Sequence, residues 1–156
     1  MRSTIFAAAS LAAAAAAAPS AGTITVLNQC ESSVQLTLHN NGGEGEAQGQ
    51  YKKGERFAST FEEGTHELRI SPNEDPYEAG ASITGLVYNF KDGKVKYDVY
   101  NIFGFMQPSL SVDVKGDDKC KGIEIDNEQT VEGAETTTCS GKAQLTLTLC
   151  SKEAKV

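Results

Sequence analysis

Two histidines and four cysteines are few for catalysis or metal binding, and they are not arranged for either. His39 and His66 stand apart from each other and from the cysteines, and no two cysteines form a Cys-x-x-Cys pair, so the ligand spacing of a zinc site is missing. Serines are plentiful, but two histidines in unrelated contexts give a Ser/His/Asp triad no support. Positive charge is also scarce: 14 basic residues face 21 acidic ones, for a net charge of −7. A nucleic-acid binder needs concentrated Lys and Arg to displace counterions from phosphates, and an anionic membrane surface recruits by the same attraction. Both classes are set aside in favour of a soluble acidic surface or an acidic groove.

Long apolar runs are absent beyond the first twenty residues or so. Within those, Arg2, an Ala-rich run from Ile5 to Ala18 and the small residues Ser20 and Ala21 have the layout of a secretory signal. The run falls short of the ~20 residues that span a bilayer, and Ala is only weakly apolar. Residues 1–21 are therefore expected to be a cleaved signal peptide and residues 22–156 a single secreted domain with no membrane anchor. Loss of Arg2 takes the 14 basic residues to 13 and the net charge from −7 to −8. The remaining chain of about 135 residues is enough for one domain that buries about two thirds of its unfolded surface. In a secreted chain the even set Cys30, Cys120, Cys139 and Cys150 favours two disulfides; four cysteines allow three pairings, and spacing does not choose among them.

A helical period of useful length is missing as well, and period two takes its place. Ile24 and Val26 alternate with threonines, as do Leu145, Leu147 and Leu149, while Val34, Leu36 and Leu38 alternate with Gln35 and Thr37. Further strands are predicted over Arg56–Phe61, His66–Ile70, Ile83–Phe90, Val95–Ile102, Leu110–Val114 and Ile123–Ile125, with a tight turn at Asp92-Gly93. Asn40–Gly49 and Ser71–Gly80 are polar and rich in breakers and read as exposed loops. The fold class is all-β, an antiparallel β-sandwich in one small domain.

The run Tyr97-Asp98-Val99-Tyr100-Asn101-Ile102-Phe103-Gly104-Phe105-Met106-Gln107-Pro108 resembles the signature of the thaumatin-like family, with Asp98, Gly104, Phe105 and Pro108 on family positions. Thr23–Cys30 looks like that family's first strand, which ends in Asn-x-Cys. Gly54-Glu55-Arg56-Phe57 looks like its Gly-Gln-x-Trp segment, and Gly64-Thr65 and Arg69-Ile70 fit its Ala-Gly-Thr and Arg-Ile pairs. In size the chain is similar to small secreted fungal relatives, including the yeast-phase-specific protein family. The resemblance implies a thaumatin-like sandwich with Cys30 bonded to Cys150 and Cys120 to Cys139. It also implies an acidic cleft of the kind proposed to bind, and sometimes cut, β-1,3-glucan.

On that comparison the family's cleft Glu falls at Leu86 and the Asp before Gly-Phe at Phe103, which leaves Asp98 alone. A glycosidase needs two carboxyls at controlled separation, so binding without catalysis is expected. The candidate ligand-contacting residues are Asp98, Phe103, Tyr100 and Arg69, with Arg69 a charge partner for Asp98. A competing reading has Asp98 accept hydrogen bonds from nearby backbone amides. Of the aromatics Tyr97, Tyr100, Phe103 and Phe105, alternate members point to opposite faces, so some belong to the core. The expected partner is cell-wall β-glucan or an extracellular protein, met by a monomer without cofactor or metal in an antimicrobial or host-interaction role. The acidic residues Asp113, Asp117, Asp118, Asp126 and Glu128 do not follow a calcium-loop pattern. Two alternatives remain: a glucan-degrading enzyme that uses Glu63, Glu74 or Asp75, and a structural or antigenic surface protein.

Overall fold

The period-two runs form strands whose apolar residues turn to one side. The computed structural model describes residues 22–72, 82–102, 109–126 and 137–152, and among these it has eleven strands and no helix. In chain order they are β1 (Thr23–Asn28), β2 (Val34–Asn40), β3 (Gly45–Tyr51), β4 (Arg56–Thr60), β5 (Gly64–Ser71), β6 (Ile83–Lys91), β7 (Lys94–Ile102), β8 (Ser109–Lys115), β9 (Ile123–Asp126), β10 (Thr137–Ser140) and β11 (Gln144–Leu149). They make a five-stranded sheet, β4-β1-β11-β8-β9, and a six-stranded sheet, β10-β7-β6-β5-β2-β3. The first and last strands run parallel to each other, and the other pairs are antiparallel.

The inner faces of the two sheets form one core. Ile24, Val26, Leu110, Val112, Leu145, Leu147 and Leu149 from the first sheet share it with Leu36, Leu68, Ile70, Leu86, Val95, Tyr97 and Val99 from the second. Removing one such leucine side chain from water contributes about 1.5–3 kcal/mol. Tyr97 brings a hydroxyl inside with it and donates to the backbone carbonyl of Lys121, between β8 and β9. Burial raises that phenol above its ordinary value, which keeps it a donor.

Two strands lie where the alternation gives no sign of them. Asn40–Gly49 reads as an exposed loop, yet β3 begins at Gly45; Thr137–Ser140 has no alternating apolar residues, yet it is β10. Both are edge strands with one paired neighbour, so backbone hydrogen bonds hold them and little apolar surface is required. In β3 the register against β2 shifts between Leu36 and Thr37, which pair with Gly49 and Ala47. Gly49 has φ +113° at this bulge, a value that disfavours a side chain.

The disulfides are Cys30–Cys150 and Cys120–Cys139, the pairing that the resemblance implies. The first joins the ends of β1 and β11. Asn28 explains the Asn-x-Cys signature: buried, it accepts from the Cys30 amide at 2.9 Å and donates to the carbonyls of Ser32 and Tyr51, both at 2.9 Å. Its side chain thereby turns the backbone so that Cys30 meets the end of β11. The second disulfide ties the β8–β9 connection to β10, across the two sheets. Asp117 reinforces that tie, accepting from the Ser140 amide at 2.6 Å and the Lys119 amide at 3.1 Å.

Candidate functional site

Side chains alternate along a strand, so the residues between the core positions of β5, β6 and β7 stand on the outer face of the six-stranded sheet. The registers set them in rows. Glu67, Val87 and Asp98 form one; Arg69, Gly85 and Tyr100 form the next; Thr65, Asn89 and Lys96 flank the first on its other side. Asp98, Tyr100 and Arg69, three of the four candidate ligand residues, therefore share one face. Phe103, the fourth, lies outside the described residues, as do Gly104, Phe105, Pro108, Glu74, Asp75 and Glu128.

Gly85 organises the centre of the face. A Cβ there would stand 2.2 Å from Cζ of Tyr100, so the ring occupies the space that a side chain on β6 would take. Lying across that strand, Tyr100 donates its hydroxyl to Oε1 of Glu67 on β5. Arg69 grips the same carboxylate with both ends of its fork, Nε at 2.5 Å from Oε1 and Nη2 at 3.2 Å from Oε2. The pair is partly shielded, at 26% and 20% side-chain exposure, and charge-assisted hydrogen bonds of this geometry hold both groups in place.

Two sequence expectations change here. Arg69 has its ion pair with Glu67, its neighbour two residues back on the same strand face, and not with Asp98 two strands away. Leu86, where the resemblance sets the family's cleft glutamate, is fully buried opposite Val99 and does not border the face. Its neighbours Gly85 and Val87 do, and neither is acidic. The second carboxylate of the face comes from β5: Glu67 joins Asp98 in one row, so Asp98 is not alone. The available sequence signal was Glu67 and Arg69 alternating with Leu68 and Ile70, a polar face carrying opposite charges.

Asp98 is half-buried and accepts its own neighbour's amide, Val99 N, at 2.8 Å through Oδ1. Beside it two hollows open on the same face. One, of about 320 Å³, is lined by Val87, Asn89, Lys96, Tyr97, Asp98 and Tyr100. The other, of about 370 Å³, is lined by Asn89, Lys91, Asp92, Lys94, Lys96 and Thr138. Asn89 and Lys96 belong to both. A further hollow of about 360 Å³ on the five-stranded sheet is bridged by its own ion pair, Lys152 to Glu124 at 2.8 Å.

A glycosidase works with two carboxyls at controlled separation. Glu67 and Asp98 are two strands apart, with Val87 between them. Both oxygens of Glu67 are already engaged by Tyr100 and Arg69. Glu63, another candidate, is exposed just before β5, and it is its backbone carbonyl that contacts His66. Among the described residues no group of three His, Cys, Asp or Glu side chains converges as a metal site would require.

A family model described as "Bys1: Blastomyces yeast-phase-specific protein" matches residues 11–151. No curated protein matches the sequence at a significant level. Among solved structures, the chain is similar to the protein elicitor MoHrip2 from Magnaporthe oryzae, with 13% identity and a TM-score of 0.66 over 84% of this chain and 100% of that one. It is also similar to the thaumatin-like xylanase inhibitor TLXI, with 11% identity and a TM-score of 0.56 over 81% of this chain and 98% of the other. The fold is a thaumatin-like β-sandwich.

Proposed function

The chain belongs to the Blastomyces yeast-phase-specific protein family, and from that starting point we propose that it is a secreted, monomeric binding protein whose outer six-stranded face holds a cell-wall glucan without cutting it. The observation that carries this reading is Tyr100 laid over Gly85, with Asp98 and Asn89 beside it along an open groove. An aromatic ring offers a flat apolar surface to a sugar ring, while the carboxylate and amide accept and donate to its hydroxyls. At about 320 Å³, this part of the groove is at the small end of the range for ligand sites and suits a short stretch of chain. The engagement of both Glu67 oxygens by Tyr100 and Arg69 argues for retention over cleavage. Such a protein would act at a wall surface, in an antimicrobial or host-interaction role.

The names of the two structural neighbours, an elicitor and a xylanase inhibitor, support a second reading in which the same face meets a protein. Sedimentation with insoluble β-1,3-glucan separates the readings. Retention of the wild-type protein and its loss in Tyr100→Ala are expected, with no reducing sugar released from laminarin. Sugar release that disappears in Asp98→Ala would make the protein a hydrolase. Failure to bind any wall polymer would turn attention to a protein target or to a purely structural surface role.

A further inference from the structure

Acidic overall, the chain nonetheless gathers three lysines at one end of its groove. Asp92 and Gly93, with φ of +51° and +70°, make a two-residue turn of the mirror-image type that suits a hairpin. It sets Lys91 directly opposite Lys94, and Lys96 two residues further along β7 stands on the same outer face. Like charges placed directly opposite each other destabilise a strand pair, so this arrangement carries a local cost. None of the three lysines forms an ion pair among the described residues. Asp92, in the turn, shares the lining of this hollow, Asp98 lines the adjoining one, and Glu63 is bridged to Phe90 beside Lys91. The lining of the hollow itself thus carries three ammonium groups and one carboxylate, a cationic spot on a chain of net charge −7. More distant acidic groups are screened beyond about 8 Å at physiological salt, so the local lysines set the potential there.

We propose that Lys91, Lys94 and Lys96 form an anion subsite that takes the carboxylates of a uronate-bearing polysaccharide. This rests on the reading that the groove binds a wall polysaccharide, and it names the class of chain that binds best. The lysine hollow holds about 370 Å³ and shares Asn89 and Lys96 with the lining of the hollow that contains Tyr100 and Asp98. A chain whose ring rests on Tyr100 would run past Asp98 and Asn89 and bring its next substituents over the lysines. Thr138 and Asn89 supply neutral partners for hydroxyls between the charged contacts. Lysine makes a point-charge contact on a flexible stem, which suits carboxylates repeated along a chain and does not demand the fixed fork of arginine.

The test compares a short oligogalacturonate, an uncharged laminari-oligosaccharide of the same length and inorganic phosphate, each titrated against wild-type protein and Lys91→Gln/Lys94→Gln. Both lysines are exposed, so the double variant should fold normally. The oligogalacturonate is expected to bind about tenfold more tightly than the neutral oligosaccharide at physiological ionic strength. That preference should vanish in the double variant and fade with added salt, while binding of the neutral chain stays within about twofold. Equal binding of the two sugars, or a preference that survives the lysine substitutions, overturns the proposal. So does phosphate that binds as tightly as the oligogalacturonate, because the site would then serve a free anion. Neutral binding lost in Tyr100→Ala reports on the groove, and the lysine-dependent excess reports on the subsite, so each can fail by itself.

Discussion

Tyr100 on β7 donates its hydroxyl to Glu67 on β5, reaching over Gly85 of the strand between them. The contact joins two residues 33 positions apart in sequence, and it depends on a residue that contributes no side chain at all. It also keeps Arg69, the other partner of Glu67, fixed on the same face.

Gly85→Ala should therefore act on the face and spare the core. The added methyl would meet Cζ, Cε1 and the hydroxyl oxygen of Tyr100 at 2.2, 2.3 and 2.6 Å, so the ring must leave its place. Overpacking of this kind costs about 1–3 kcal/mol. A lowered denaturation midpoint together with weakened glucan sedimentation is expected. A variant that binds as the wild type does would show that the position of Tyr100 is immaterial.

The two neighbouring positions on β6 should respond in opposite ways to a carboxylate. Leu86→Glu would put an unpaired charge in a fully buried site and cost several kcal/mol, enough to unfold a domain of ordinary stability. Val87→Glu would add a carboxylate between Glu67 and Asp98 on the solvent side, at about 1 kcal/mol or less of like-charge repulsion. Urea unfolding of both variants decides the matter, and equal destabilisation would contradict the facing of β6 described above.

The disulfides should differ in weight. Cys30–Cys150 spans a sequence separation of 120 and Cys120–Cys139 one of 19. Restricting the unfolded chain by loops of those sizes corresponds to about 5 and about 3 kcal/mol in the chain-entropy treatment. Cys30→Ser/Cys150→Ser is thus expected to lower the unfolding midpoint further than Cys120→Ser/Cys139→Ser, by an amount near 2 kcal/mol. The reverse order in thermal or urea unfolding would refute it.

Acid should weaken the tie between the β8–β9 connection and β10. Backbone amides of Ser140 and Lys119 hold the Asp117 carboxyl below its ordinary value of 3.8. A group lowered in the folded state adds stability that is present above the ordinary value and is lost as pH falls through the lowered one. Asp117→Asn should accordingly unfold more easily than wild type near neutral pH, with the gap closing in strong acid. A gap that stays constant down to about pH 2 would rule out this role.

Strand content was readable because one sheet face is apolar, and the alternation of Leu145, Leu147 and Leu149 with threonines states both the strand and its facing. The same logic failed at β3 and β10, whose edge positions need backbone pairing and almost no apolar side chains. Within the candidate site, Asp98, Tyr100 and Arg69 could be picked out by motif, because each sits in a recognisable local run. Glu67 could not, since its importance comes from Tyr100, which reaches it from β7 across the intervening strand. The facing of Leu86 was open to reading from its period-two phase with Tyr88, and that local pattern outweighs a count along the chain.

The amino-acid order by itself determined the all-β character, the inward phase of most strands, the Asp92-Gly93 turn and the cysteines available for bridging, because each follows from interactions among residues a few positions apart. Only the tertiary structure decided that β5, β6 and β7 lie side by side, that Tyr100 crosses Gly85 to reach Glu67, and that three lysines in an acidic chain share one end of a groove. Those relations depend on which strands pair and in what register, and register is chosen by the whole buried face at once.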